Sequence, residues 1–176
     1  FFNIAERSIE GIDFEAQYIF DDIWGGDLGL RSLTTYIIRN SNSYDGVTTV
    51  EDAGVVSRDY SSSLPKWRAN ATVDYNRVNW GATVQLRYVG GGDLYPDNTI
   101  EVIDYKVPSS TYVNFSARYT VVDQAETSVQ IYGGINNLFD KDPSIAPSDF
   151  VSTWATNPIL YDVIGRYFYA GVRANF

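Results

Sequence analysis

Apolar and polar residues alternate with a period of two through most of this chain. In "KWRANATVDY" (66–75), Trp67, Ala69, Ala71, Val73 and Tyr75 fall on one face, against Lys66, Arg68, Asn70, Thr72 and Asp74 on the other. "WGATVQLRYV" (80–89) sets Trp80, Ala82, Val84, Leu86 and Tyr88 against Gly81, Thr83, Gln85 and Arg87. The same alternation runs through "GIDFEAQYIF" (11–20), "TYVNFSARYT" (111–120) and the closing "YFYAGVRANF" (167–176). It is looser in 27–39 and 128–136. Runs of this length and period predict about seven half-exposed strands and no helix.

Two features decide what faces the apolar stripes. Rings mark both stripe ends, Trp67 to Tyr75 and Trp80 to Tyr88, as two membrane interfaces favour. The connections also alternate in length. Segments 21–26, 76–79 and 121–126 are tight, whereas 40–65, 90–110 and 140–164 are long. Loops that long are uncommon in compact soluble domains, and short turns on one side with long loops on the other are the habit of outer-membrane barrels. A soluble sandwich would satisfy the alternation alone; the aromatics and loops point to an antiparallel transmembrane β-barrel. Across the "NRVN" turn the pattern predicts Tyr75 opposite Trp80, Ala71 opposite Val84 and Trp67 opposite Tyr88, so that apolar residues meet apolar ones.

Composition narrows the chemistry. The 176 residues hold 14 Tyr, 9 Phe and 4 Trp, but no Cys and no His. That removes disulfides, ordinary zinc sites and Ser-His or Cys-His nucleophile pairs, which argues against most hydrolase readings; with the family resemblance that follows, no enzyme activity, catalytic residue or cofactor is expected. A net charge of −9 argues against a phosphate-tracking surface and hence against nucleic acid as a partner. The opening "FFNIAERS" lacks the basic and apolar regions of a signal peptide, so either secretion is not involved or the natural chain begins elsewhere.

The stretch "GINNLFDKDP" (134–143), followed one long loop later by "GRYFYAGVRANF" (165–176), resembles the C-terminal end of TonB-dependent outer-membrane receptors. "NIAERSIEGIDFEAQY" (3–18) is similar to an upstream barrel strand of that family, with Asp13 in place of the usual Glu. The resemblance implies a barrel of about twenty-two strands around a plug domain, in the outer membrane of a Gram-negative bacterium. Residues 1–176 would then be its C-terminal strands, with the plug and the N-terminal strands missing. Implied partners are outer-membrane lipid, the barrel-assembly machinery, the inner-membrane TonB motor through the missing N-terminal part, and a scarce nutrient of the siderophore, vitamin or oligosaccharide class. Phe168, Val172 and Phe176 match the family's assembly signal, with Ala170 and Ala174 smaller than its strongest form. The alternative is a structural or adhesive outer-membrane barrel subunit that binds a partner protein through its long loops.

The polar face should then look inward. Its set is Asp13, Glu15, Gln17, Arg31, Arg68, Asp74, Gln85, Arg87, Asn114, Arg118, Gln130, Asn136 and Arg173. Of these, Glu15, Arg31, Arg68, Arg87, Asn114, Arg118 and Arg173 are the candidates to line the lumen or meet a ligand. The expected register puts Arg68 opposite Arg87, an unfavourable like-charge pair that calls for an anion between them, from the plug or from a ligand. Asp140 and Asp142 have spacing compatible with a calcium loop, but too few further oxygen ligands follow in register; turn chemistry from Asn, Asp and Pro is the expected role, and no metal site is predicted. The "VGGGD" glycines (89–93) precede no helix and form no phosphate loop.

Overall fold

A computed structural model of the chain describes residues 6–43, 48–56, 63–94, 106–124, 127–146 and 155–176. Parts of the predicted long loops, residues 3–5 of the upstream motif and residues 125–126 of the third turn lie outside them. The strands are β1 (Glu6–Ile23), β2 (Gly26–Ser43), β3 (Thr49–Glu51), β4 (Trp67–Asn76), β5 (Trp80–Val89), β6 (Gly92–Asp93), β7 (Lys106–Val107), β8 (Ser110–Gln124), β9 (Thr127–Asn136) and β10 (Tyr167–Asn175). The described residues contain no helix.

The main sheet runs β1-β2-β4-β5-β8-β9-β10 with every neighbour antiparallel, and β3 adds to the far end of β2. Each long strand pairs with its sequence neighbour, as an up-and-down meander does. Strands β4, β5 and β9 have 10 residues each, the length that crosses a bilayer at a tilt near 45°. The β1–β2 hairpin is longer, 18 residues in each strand, so β2 continues to Ser43 where a loop is expected from residue 40. Its turn needs only Trp24 and Gly25, at φ 53° and 73°. Positive φ at both central residues gives the mirror-image turn whose twist suits a hairpin.

The register carries single rows across the whole sheet. Tyr18, Leu30, Val73, Val84, Phe115, Ile135 and Phe168 are successive cross-strand partners, and all are apolar or aromatic. One residue along, on the opposite face, the row Gln17, Arg31, Thr72, Gln85 and Asn114 is wholly polar. The alternating pattern therefore builds a wall with one apolar and one polar face.

The buried apolar cluster lies past the end of this wall and shares with it only Val89, the last residue of β5. Val56, Val89, Leu94, Val107, Ala146, Leu160 and Tyr161 pack together at the long-loop end. Backbone bonds tie the contributing segments: Val56 N donates to Asp93 O (2.9 Å), Asp93 N to Gly54 O (2.9 Å), and Ala146 N to Ala155 O (2.8 Å). The "GGG" run is a close crossing of chains. A Cβ at Gly92 would stand 1.9 Å from Gly54 O, a contact no side chain survives. The loops thus fold into a cap with its own core, which no periodicity announces.

Candidate functional site: the polar face of the wall

Every residue of the predicted inward set falls on the polar face. In β1, β2, β5 and β10 these are odd-numbered positions, and in β4, β8 and β9 even-numbered ones. Glu15, Arg31, Arg68, Arg87, Asn114, Arg118 and Arg173 share that face, while Phe168 and Val172 stand on the other, 70% and 67% exposed.

The expected pairing of Arg68 with Arg87 is wrong by two residues. Asn70 is the partner of Arg87, and Arg68 lies opposite Val89. Likewise Ala71 meets Leu86 and Tyr75 meets Ala82. The hairpin closes on Val78 and Asn79 alone, with Arg77 N donating to Trp80 O at 2.8 Å, so the turn is two residues rather than four. A slip of two keeps every side chain on its face, which is why these residues still share the polar face. The end aromatics still meet, differently: Tyr75 and Trp80 diagonally with centroids 5.2 Å apart, and Trp67 against Tyr36 at 4.5 Å.

No anion is called for between Arg68 and Arg87. Arg87 reaches up to the cap, donating from Nη1 to Leu160 O at 3.1 Å, and its guanidinium lies 4.7 Å from the Tyr112 ring centre. The acids of this face have neighbours of their own. Glu15 takes two bonds from Arg31 at 3.0 and 2.7 Å, Asp13 accepts from Thr35 Oγ1 at 2.6 Å, and Asp74 accepts from Thr83 Oγ1 at 2.6 Å. Asn114 is used at both ends: Nδ2 donates to Gln85 (3.1 Å) and Oδ1 accepts from Asn137 N (2.9 Å).

The "NNLFDKDP" stretch is a clamp on the start of the last strand. Asn137, at φ 49°, donates from Nδ2 to Lys141 O and to Asp162 Oδ2, each at 3.0 Å, and its Oδ1 takes Lys141 N at 2.8 Å. Asp140, at φ 53°, accepts from Arg166 N at 2.9 Å and stands 3.6 Å from Arg166 Nη2. Gly165 fits this turn at φ 82°. Asp140 is thus engaged in turn chemistry, and among the described residues no group of three or more His, Cys, Asp or Glu could hold a metal. The sequence pattern singles out Asn137 and Asp140 but not their partners Asp162 and Arg166, because a loop separates them.

Within the cap, burial and the neighbouring Tyr112 push the Tyr161 hydroxyl up to about 12. Nearer the short turns, the polar face holds a hollow of 230 Å³ between Arg118 and Arg173, flanked by Tyr132 and Tyr169. Sequence reading finds the arginines but not the hollow, since its shape depends on which glycine faces which large side chain.

The sequence model described as "TonB dependent receptor-like, beta-barrel" matches residues 1–138. No curated protein and no solved structure matches the chain. The match covers β1 through β9, with the whole polar row and the apolar row as far as Ile135, and every pair of strands in the main sheet is antiparallel. The chain belongs to the TonB-dependent receptor β-barrel family, the transport receptors of the bacterial outer membrane.

Proposed function

We propose that this chain is the C-terminal wall and loop cap of a larger barrel that takes up a scarce nutrient, of the siderophore, vitamin or oligosaccharide class, across the outer membrane. The apolar row from Tyr18 to Phe168, backed by a polar row, carries this reading. A wall exposed on both faces needs lipid on one side and a watery or protein-filled lumen on the other. Among the described residues, strands β1 and β10 each pair on one side only. Lipid does not tolerate open edges, so further strands complete the circle and a plug fills it. Short turns then face the periplasm and the cap faces outside, where cargo arrives. Phe168, Val172 and Phe176 present the assembly signal on the lipid face, and the TonB motor acts through the part of the receptor that precedes this chain.

The test is energised uptake. Cells carrying or lacking the gene are given radiolabelled ferric siderophore, cobalamin or a maltodextrin series, with and without a protonophore. Accumulation of one class that needs both the gene and the proton-motive force supports transport. Gene-dependent surface adhesion with no energised uptake of any class would leave a structural role. The intact mass of the denatured polypeptide should also be several times 19.7 kDa.

A further inference from the structure

The last strand pair of the sheet has no tight turn to set its register. Strands β9 and β10 are joined by residues 137–166, far longer than the two-residue turns that fix pairing by their own geometry. The apolar face does not fix it either. Phe168, Ala170, Val172 and Ala174 face Ile135, Gly133, Ile131 and Val129. After a slip of two in either direction, three of these four would still face an apolar residue or glycine.

The polar face discriminates. Tyr169 lies opposite Gly134 and Tyr132 opposite Gly171, so each strand gives one ring and one glycine to the same stretch. Each ring end lies over its glycine. A Cβ at Gly134 would stand 2.5 Å from the Tyr169 hydroxyl, as well as 2.6 Å from Phe115 O of β8, and one at Gly171 would overlap the end of the Tyr132 ring. Neither glycine has a positive φ. At Gly171, where the three nearest atoms all belong to Tyr132, it is the ring and not the backbone that requires the missing side chain. Rings laid over cross-strand glycines pin register. Of the observed pairing and its two slipped neighbours, only the observed one gives both rings a glycine. Slipped one way, Tyr169 would meet Tyr132; slipped the other, Gly171 would meet Gly134 and the rings would meet Asn136 and Arg173.

Both ends of the pair are tied in the same register. Just before β10, Asp140 accepts from Arg166 N at 2.9 Å and Gly165 turns the chain at φ 82°. At the far end, Asn175 Nδ2 donates to Ser128 Oγ at 3.0 Å. We propose that Tyr132 over Gly171 and Tyr169 over Gly134, with the Asp140–Arg166 clamp, form a lock that holds β10 in one register against β9. Closing a barrel requires a fixed stagger between strands, and a slip of two moves a strand by about 7 Å. Among the described residues β10 pairs on one side only, so a strand that meets its other edge takes its height from this lock. The lock needs only the barrel and acts whatever the cargo is.

The test uses the whole receptor in native outer membranes. This chain has no cysteine, so with any others replaced, disulfide formation between paired cysteines reads the register. Gln130→Cys and Arg173→Cys face each other as observed. Gln130→Cys with Asn175→Cys, and Ser128→Cys with Arg173→Cys, face only after a slip of two. Facing Cβ atoms are about 5 Å apart and diagonal ones about 7 Å, the latter beyond disulfide reach. With the lock intact, the facing pair is expected to oxidise at least about tenfold faster than either diagonal pair. Tyr132→Ala, Tyr169→Ala and Asp140→Ala together should bring one diagonal pair within about twofold of the facing pair. A preference missing at the start, or one that survives these substitutions, overturns the proposal. If the triple variant does not reach the membrane, Gly171→Ala decides, since its one added carbon presses on Tyr132. Loss of the facing preference or of assembly, reversed by adding Tyr132→Ser while Tyr169 and the clamp remain, supports the lock. An unchanged Gly171→Ala receptor, or a loss that Tyr132→Ser leaves in place, overturns it.

Discussion

The wall and the cap solve opposite problems. On the wall, Tyr18, Phe14 and Phe168 are 61%, 62% and 70% exposed, while in the cap Val56 is 0% and Leu160 2% exposed. The wall has one apolar side chain at every second position and, among the described residues, no partner layer to bury it, so its backbone ladder carries the structure and, on the proposed reading, lipid covers the outer face. The cap draws residues from five separate segments and buries them as a soluble protein does, with water as the driving solvent. Polar groups follow the same division. Thr156 Oγ1 donates to Ser144 O at 2.6 Å and the Ser110 and Ser144 hydroxyls meet at 2.7 Å inside the cap, whereas the wall's ion pair Arg31–Glu15 is more than half exposed. One chain therefore answers to two solvents, and substitutions should reveal which one each residue feels.

The largest effect is expected in the cap. Leu160→Ala should cost about 2–5 kcal/mol of local stability. Hydrogen exchange at the Val56 and Asp93 amides, both bonded across the cap, should accelerate while that of Val84 stays put. Equal acceleration in both regions would mean that cap and wall are one cooperative unit. Next comes the outer face. Val84→Arg should destabilise by about 2–4 kcal/mol in a bilayer, read by urea unfolding in lipid vesicles, while Thr72→Arg on the polar face stays near wild type. A similar loss for both would remove the distinction between the faces.

The cap should also respond to alkali. Tyr161 is held at about 12 by burial and by Tyr112, against an ordinary value near 10. Between pH 10 and 12 the unfolded chain gives up a proton that the folded cap retains, so cap stability falls as pH rises through that window and is flat in this respect below it. Tyr161→Phe should flatten the decline, and since the hydroxyl has no hydrogen-bond partner among the described residues, it should not weaken the cap at neutral pH. The smallest effect belongs to the wall's surface pair: Glu15→Gln should change stability by less than about 1 kcal/mol, measured by the same urea titration.

The wall was legible in the sequence because its physics is periodic. Trp67 through Tyr75 and Trp80 through Tyr88 announce their faces by alternation alone, and face assignment is indifferent to slips of two. Register was not legible: Arg68 and Arg87 looked opposed because the turn was read as four residues, when Val78 and Asn79 suffice. The cap was hidden for a different reason. Val56, Leu94, Val107 and Leu160 come from loops without any period, and their meeting depends on long-range contacts such as Asn157 Nδ2 to Val56 O. The hollow on the polar face was half visible. Arg118 and Arg173 stood in the inward set, but the glycines that seat Arg118, Tyr132 and Tyr169 gain meaning only once each is known to face a large side chain.

The central claim is that the sheet separates lipid from lumen, and two adjacent residues of β5 test it most directly. Spin labels at Val84→Cys and Gln85→Cys, in the whole receptor reconstituted in a bilayer, are compared for relaxation by molecular oxygen, which partitions into lipid, and by a water-soluble nickel chelate. The account predicts oxygen-dominated relaxation at 84 and its loss at 85, where oxygen enrichment is absent, with the alternation continuing along the strand. Equal access of the chelate to both positions would contradict it and make this a sheet surrounded by water.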